Sequence, residues 1–237
     1  MAKGRSSIGF SALPVTIFAH LLVIAIATLL LVWLLHFQDG FAFKSKINKG
    51  KIFNLHPLFM VIGFVLIAGE EITLCFINGE TNYIYDESAI MAYKTVPATR
   101  KVQKVVHLLL HLIALLAGIV GIYAVFKFHH ELGIANMYTL HSWFGMSTIC
   151  LFGLQWLLAF YSFWFPGAQS STRAKLAPWH IFLGIVIFLM AILSAETGLV
   201  ERFSFLKLGR TQEALIVNFT GLLLFLFAVS VGFTVIL

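Results

Sequence analysis

Six stretches of this 237-residue chain contain no Asp, Glu, Lys or Arg: 6–38, 52–69, 105–126, 132–172, 176–195 and 214–237. A helix that crosses a bilayer needs roughly 20 predominantly apolar residues. Five stretches reach that length, and the 18-residue second one can be extended at either end. Backbone polar groups in lipid must be paired within the segment, so helices are the natural way to cross. Six spans are predicted, near 13–37, 53–77, 105–126, 139–164, 179–199 and 214–236. The 132–172 stretch exceeds one helix, and its apolar part runs from Tyr138 to Phe165. With 60% hydrophobic and 11% charged residues, the chain lacks the polar surface of a soluble domain this size. The fold class is therefore an all-α membrane protein, one domain over 1–237 embedded in a lipid bilayer. The first span is too long in its apolar run for a cleaved signal peptide and reads as a retained helix.

The net charge of +6 belongs to basic loops and implies no nucleic acid partner. Cys75 and Cys150 form no metal or disulfide pattern and read as small packing residues. Odd connections carry eight basic residues, as do the even connections and termini together. The positive-inside rule therefore does not orient the chain.

The histidines are more informative. Ionisable groups at membrane depth are costly and usually face a bundle interior with a partner. His56, His107, His141 and His180 stand near the starts of the second, third, fourth and fifth spans. Consecutive spans alternate in direction, so His56 and His141 share one membrane face, and His107 and His180 share the other. Pro57 follows His56, and Pro178 precedes His180 by two residues. Proline suits a first helical turn, which predicts both histidines at the beginnings of their helices. Gly63, Gly118, Gly145 and Gly184 fall on the histidine faces. They make room either for a planar ligand or for close helix packing.

Zinc usually takes three or four protein ligands, and no cysteine or carboxylate recurs beside these positions. A di-iron site would need glutamates and Glu-x-x-His repeats, which are absent. Haem iron needs only axial ligands. Two histidine pairs predict two b-type haems, one per leaflet, dividing a core of roughly 30 Å into shorter hops. A haem with both axial positions filled transfers electrons and leaves no open site for oxygen.

Five segments, in order, carry a family resemblance: Phe-Asn-Leu-His-Pro (53–57), Lys-Val-Val-His-Leu-Leu-Leu-His (104–111), Tyr-Thr-Leu-His-Ser-Trp-Phe-Gly (138–145), Phe-Pro-Gly (165–167) and Pro-Trp-His (178–180). In these the chain resembles the cytochrome b561 family of ascorbate-dependent transmembrane electron carriers, most closely its plant members. The resemblance implies a four-helix bundle of spans two to five, flanked by spans one and six. It implies haem iron held by His56 with His141 and by His107 with His180. His111, one turn beyond His107, is an alternative ligand or a partner to one. The first pair would lie on the non-cytoplasmic side, the second on the cytoplasmic side, and both termini in the cytoplasm. The family runs directly from Gly-Glu to Ala-Ile-Met-Ala-Tyr-Lys. Here Glu71–Ser88 separates Gly69-Glu70 from Ala89 to Lys94 and reads as an insertion.

The expected activity is an oxidoreductase that takes single electrons from cytoplasmic ascorbate and passes them to monodehydroascorbate or a ferric chelate on the far side. A homodimer is a further arrangement to consider. Ascorbate is a monoanion at neutral pH, so its site should be cationic. Arg100 and Lys104 precede His107 by seven and three residues, and Arg173 precedes His180 by seven. Family members carry basic residues at these offsets, which implies a donor site. A second pocket is expected around His129, with Lys127, Asn136 and Tyr138, because the resemblance puts an ascorbate-interacting histidine at the Lys-Phe-His position. Glu196, directly after twenty uncharged residues, marks a functional spot or reaches the interface. Two other classes compete: a proton-coupled transporter relaying through histidines, and a haem-bearing subunit of a larger complex. The first needs polar residues along a continuous path, whereas mid-membrane positions here are nearly all apolar.

Overall fold

The computed structural model describes residues 13–72 and 100–236, and these residues contain helices and no strands. Six helices are long and apolar enough to cross a membrane. They are α1 (Leu13–Val32, ending in a π-helical turn Trp33–Phe37), α2 (Gly50–Ile72), α3 (Arg100–Leu132), α4 (Leu140–Trp164), α5 (Ser170–Phe205) and α6 (Gln212–Ile236). Cys75 and most of the 71–88 insertion lie outside the described residues, as does the part of the expected second span beyond residue 72.

Helices α2, α3, α4 and α5 contact one another in a closed ring. Helices α1 and α6 pack on each other and lean on α2 and α5 respectively. Ile26, Leu30, Leu34, Phe64, Leu224 and Phe227, buried to within 1% of full enclosure, form the dry seam where α1, α2 and α6 meet. Half of the apolar window of α2 and α6 is buried, against 17% for α3 and α4. The difference has a cause: α3 and α4 turn one side to cavities and the other to lipid. Leu109, Ile113, Leu116, Ile119 and Tyr123 follow the helical repeat down the outer side of α3 and are all half exposed or nearly so. In water such a stripe would be an aggregation surface. In a bilayer it is the solvent-matched face. Hydroxyl groups within the spans return to their own helices, as in Thr148 to Phe144 O (2.7 Å), Thr220 to Ile216 O (2.8 Å) and Ser230 to Leu226 O (2.8 Å). No hydroxyl among these is left to seek water in lipid.

The helices depart from the expected spans at their ends. The 105–126 span is part of a helix from Arg100 to Leu132, and the 179–199 span part of one from Ser170 to Phe205. Long basic side chains keep helical backbone while reaching out of the apolar zone, so a helix outlasts its charge-free run. Consequently Pro178 lies inside α5, not in its first turn, and His180 stands ten residues into the helix. His56 likewise follows helical residues that begin at Gly50. Pro57 has no N–H to donate, and its ring crowds the preceding turn. The chain widens directly after it into a π-helical stretch, Leu58–Leu66.

Candidate functional site

The connection from α1 to α2 is pinned by Asn54, whose amide donates to the carbonyls of Gln38 (2.8 Å) and Gly40 (2.6 Å). That buried anchor sets the start of α2 and with it His56. The chain reaches His141 by a different device. Helix α3 ends in a Schellman motif: Ile134 N–H donates to His129 O (2.9 Å) and Gly133 N–H to His130 O (3.4 Å). Gly133 supplies the positive φ of 66° that this motif needs. Thr139 then caps α4, its hydroxyl accepting from Ser142 N–H (3.2 Å), and His141 follows in the first turn.

At this end of the bundle the rings of His56 and His141 face each other with centroids 5.9 Å apart and planes at 82°. His56 Nδ1–H donates to Gly121 O (3.0 Å) and His141 Nδ1–H to Ser194 O (2.9 Å). A carbonyl only accepts, so both protons sit on Nδ1 and each Nε2 keeps its lone pair. At the opposite end His107 faces His180 with centroids 6.1 Å apart and planes at 75°. Here the orienting group is a carboxylate: His107 Nδ1–H donates to Glu71 Oε1 (3.2 Å). Two imidazoles on opposite sides of one metal, each with a bond of about 2 Å, have ring centres roughly 6 Å apart. Both pairs have this separation. Among the described residues no group of three or more His, Cys, Asp or Glu side chains is placed to hold a metal ion jointly.

Each pair opens on a cavity. The His107/His180 cavity has a volume of 450 Å³ and is walled by Phe163, Trp164, Phe188 and other apolar groups, with Gln103 and Lys104 in its lining. The His56/His141 cavity, 200 Å³, is lined by apolar groups together with His129, Asn136, Tyr138 and Arg202. Phe64 and Ala191 border both. Phe64 meets Phe152 edge to face (4.8 Å), forming an apolar septum between the two ends.

Of the residues expected at a site, His56 is brought beside His141 and His107 beside His180. His111 stands behind His107 (4.3 Å between rings), stacked on Phe152 at 5.5 Å and 4°, while the ring facing His180 is that of His107. Lys104 lines the larger cavity. Arg173 lies on the α5 face that continues through Ala177, His180 and Gly184 into that cavity, with its guanidinium beside Gly167. Arg100 is the first residue of α3, and its side chain falls outside what is described. His129 Nδ1 and Asn136 Oδ1 are joined at 2.7 Å on the wall of the smaller cavity, and Tyr138 is exposed at its mouth. Lys127 is not brought to that wall: its ammonium donates to Phe43 O (2.6 Å) and approaches Glu131 (4.0 Å). Glu196 lines neither cavity. It turns to α6, where Gly221 leaves it room.

The glycines divide by role. A Cβ on Gly63 would meet Ala117 at 2.5 Å, and one on Gly118 would meet Ile149 at 2.5 Å, so both serve helix packing. Gly145 and Gly184 line the cavities and also admit Ser194 and Gln155, each 3.2 Å from where a Cβ would be. Gln155 uses that room to donate to His180 O (3.2 Å). Sequence reading missed Gly198, Glu71 and Arg202. Gly198 lies against the His141 ring, and Glu71 orients His107. A glutamate beside a histidine-bearing helix was visible in the sequence; Gly198 carried no signal.

Comparison with known proteins identifies the family. Residues 55–206 match the family described as eukaryotic cytochrome b561. The chain is 44% identical over 229 residues to a probable ascorbate-specific transmembrane electron transporter of Oryza sativa subsp. japonica, covering 94% of this chain and 90% of the relative. It is 38% identical over 232 residues to transmembrane ascorbate ferrireductase 1 of Arabidopsis thaliana, covering 96% and 89%. A transmembrane ascorbate-dependent reductase of Ovis aries is 36% identical over 227 residues, covering 93% and 81%. The matched region holds all four paired histidines, the lining of the larger cavity and all of the smaller cavity's lining but Trp33 and Phe53, and on this ground the chain belongs to the eukaryotic cytochrome b561 family.

Proposed function

We propose that this protein carries electrons across a membrane from ascorbate to a monodehydroascorbate or ferric-chelate acceptor, using two b haems. The observation that carries the reading is the pair of imidazole clamps at opposite ends of one bundle, with ring centres 5.9 and 6.1 Å apart. The family implies haem b. The residues fit it: facing imidazoles, free Nε2 lone pairs at the His56 pair, apolar walls and a cavity at each clamp. His56 with His141 would hold one haem, and His107 with His180 the other. When bound there, haem would supply reversible one-electron exchange at iron.

The chain's own residues do the rest. Gly121 O, Ser194 O and Glu71 fix ring orientation and tautomer, which raises ligand basicity. The Phe64–Phe152 contact places apolar rings between the clamps. Lys104 and Arg173, with Arg100 at the start of α3, would attract the ascorbate anion to the His107 face, which this reading assigns to the cytoplasm. His129, Asn136 and Tyr138 would bind the acceptor on the other face. In each turnover ascorbate gives up one electron and one proton to become monodehydroascorbate, and the acceptor gains one electron. A ferric chelate thereby becomes ferrous.

Haem content and reduced-minus-oxidised spectra test the reading. Wild type should hold two haems per chain. His56→Ala or His141→Ala should each hold one, and His107→Ala or His180→Ala should hold the other. Two haems in all four variants would show that the ligands lie elsewhere.

A further inference from the structure

Arg202 is 8% exposed and stands on the wall of the His56/His141 cavity, near the end of α5. A buried guanidinium is costly without company, and this one is held from three sides. Its Nη2 donates to Gln38 Oε1 at the end of α1 (2.8 Å). Its plane covers Phe53 of α2 (4.3 Å) and approaches Phe205 of α5 (5.4 Å). Its buried Nε has no hydrogen-bond partner among the described protein groups. Glu213 of α6 is the neighbouring counter-charge, but that carboxylate is itself held by Trp33 Nε1 (2.9 Å) and Gln38 Nε2 and does not line the cavity. Glu201 also lines the cavity and is exposed, so water screens it.

We propose that Arg202 is a positioning residue that sets the reduction potential at the His56/His141 clamp, holding a fixed positive charge where an added electron is stabilised. This rests on the haem-carrying reading above. The Phe53 ring is 6.0 Å from the His56 ring, which puts the guanidinium within about 10 Å of that imidazole. At that distance, with an effective dielectric of about 20, one unit charge changes a one-electron equilibrium by about tenfold or more.

Redox titration of the purified haem-loaded protein, followed optically, tests this without an activity assay. Arg202→Gln should lower one of the two midpoints by about tenfold in equilibrium constant, about 59 mV for one electron, and leave the other in place. Arg202→Lys should keep it near wild type. Gln38→Leu, which removes the hydrogen bonds to Arg202 and Glu213 but neither charge, should not move it. Glu213→Gln, which removes the counter-charge and leaves the guanidinium in place, should raise the same midpoint and gives a reading even where Arg202→Gln does not accumulate. Unmoved midpoints in Arg202→Gln and Glu213→Gln, or an equal drop in Gln38→Leu, would overturn the inference while leaving two haems and the parent reading intact. A wild type without haem would overturn both.

Discussion

A Cβ built on Gly198 would stand 2.8 Å from Cε1 of His141, inside contact distance of a ring already tied to Ser194 O. Neither partner has room to yield, since the ring is held at Nδ1 and Gly198 belongs to helical backbone. Gly198→Val should therefore remove the haem at the His56/His141 clamp and spare the other, read as a halved haem-to-protein ratio. A ratio unchanged from wild type would mean that the ring is not so confined. Glu71→Ala deletes the acceptor that orients His107. Loss of such an orienting partner typically costs about 10–100-fold in affinity for the bound metal group, so haem at the His107/His180 clamp should dissociate that much more readily, as measured by transfer to a haem-free acceptor protein. The four histidines were legible because an ionisable group in an apolar run stands out. Gly121 and Ser194 were not, because they act through backbone carbonyls that every residue possesses.

The helices show the same division between what composition announces and what geometry decides. Apolar runs locate six spans because lipid imposes their length. They do not locate helix ends, since Arg100 to Lys104 and Ser170 to Lys175 remain helical beyond the apolar zone. Pro57 and Pro178 look like starting signals and are interior residues, one followed by nine π-helical residues. The short link between α3 and α4 is where local chemistry acts most directly on the site. Gly133 turns the chain, Asn136 folds back on His129, and Thr139 caps the helix that carries His141. Thr139→Ala should cost about 0.5–2 kcal/mol, seen as a lower midpoint for thermal loss of the haem spectrum. The His56/His141 haem should be lost first, because its helix frays at His141. Simultaneous loss of both would contradict that order.

Across the whole molecule, the ring of α2 to α5 holds a clamp at each end, and α1 with α6 buttresses one flank. The cationic approach differs between the ends. Lys104 lines the His107 cavity and Arg173 lies on the α5 face leading to it, whereas at the other end Lys127 is occupied by Phe43 O and Glu131 and Arg202 is buried in the wall. Lys104→Ala and Arg173→Ala should each weaken ascorbate binding by about 1.5–3 kcal/mol, or about tenfold to a hundredfold. Stopped-flow reduction should show the loss with ascorbate and not with uncharged donors. The central claim is that electrons cross the bilayer through this chain, and sealed vesicles test it directly. Protein is reconstituted with ascorbate trapped inside and a membrane-impermeant ferric chelate outside, and ferrous iron is followed externally. The account predicts steady external reduction that depends on the protein and is abolished in a variant lacking both His56 and His107. External reduction no faster than in protein-free vesicles, from a protein that holds two haems, would contradict it.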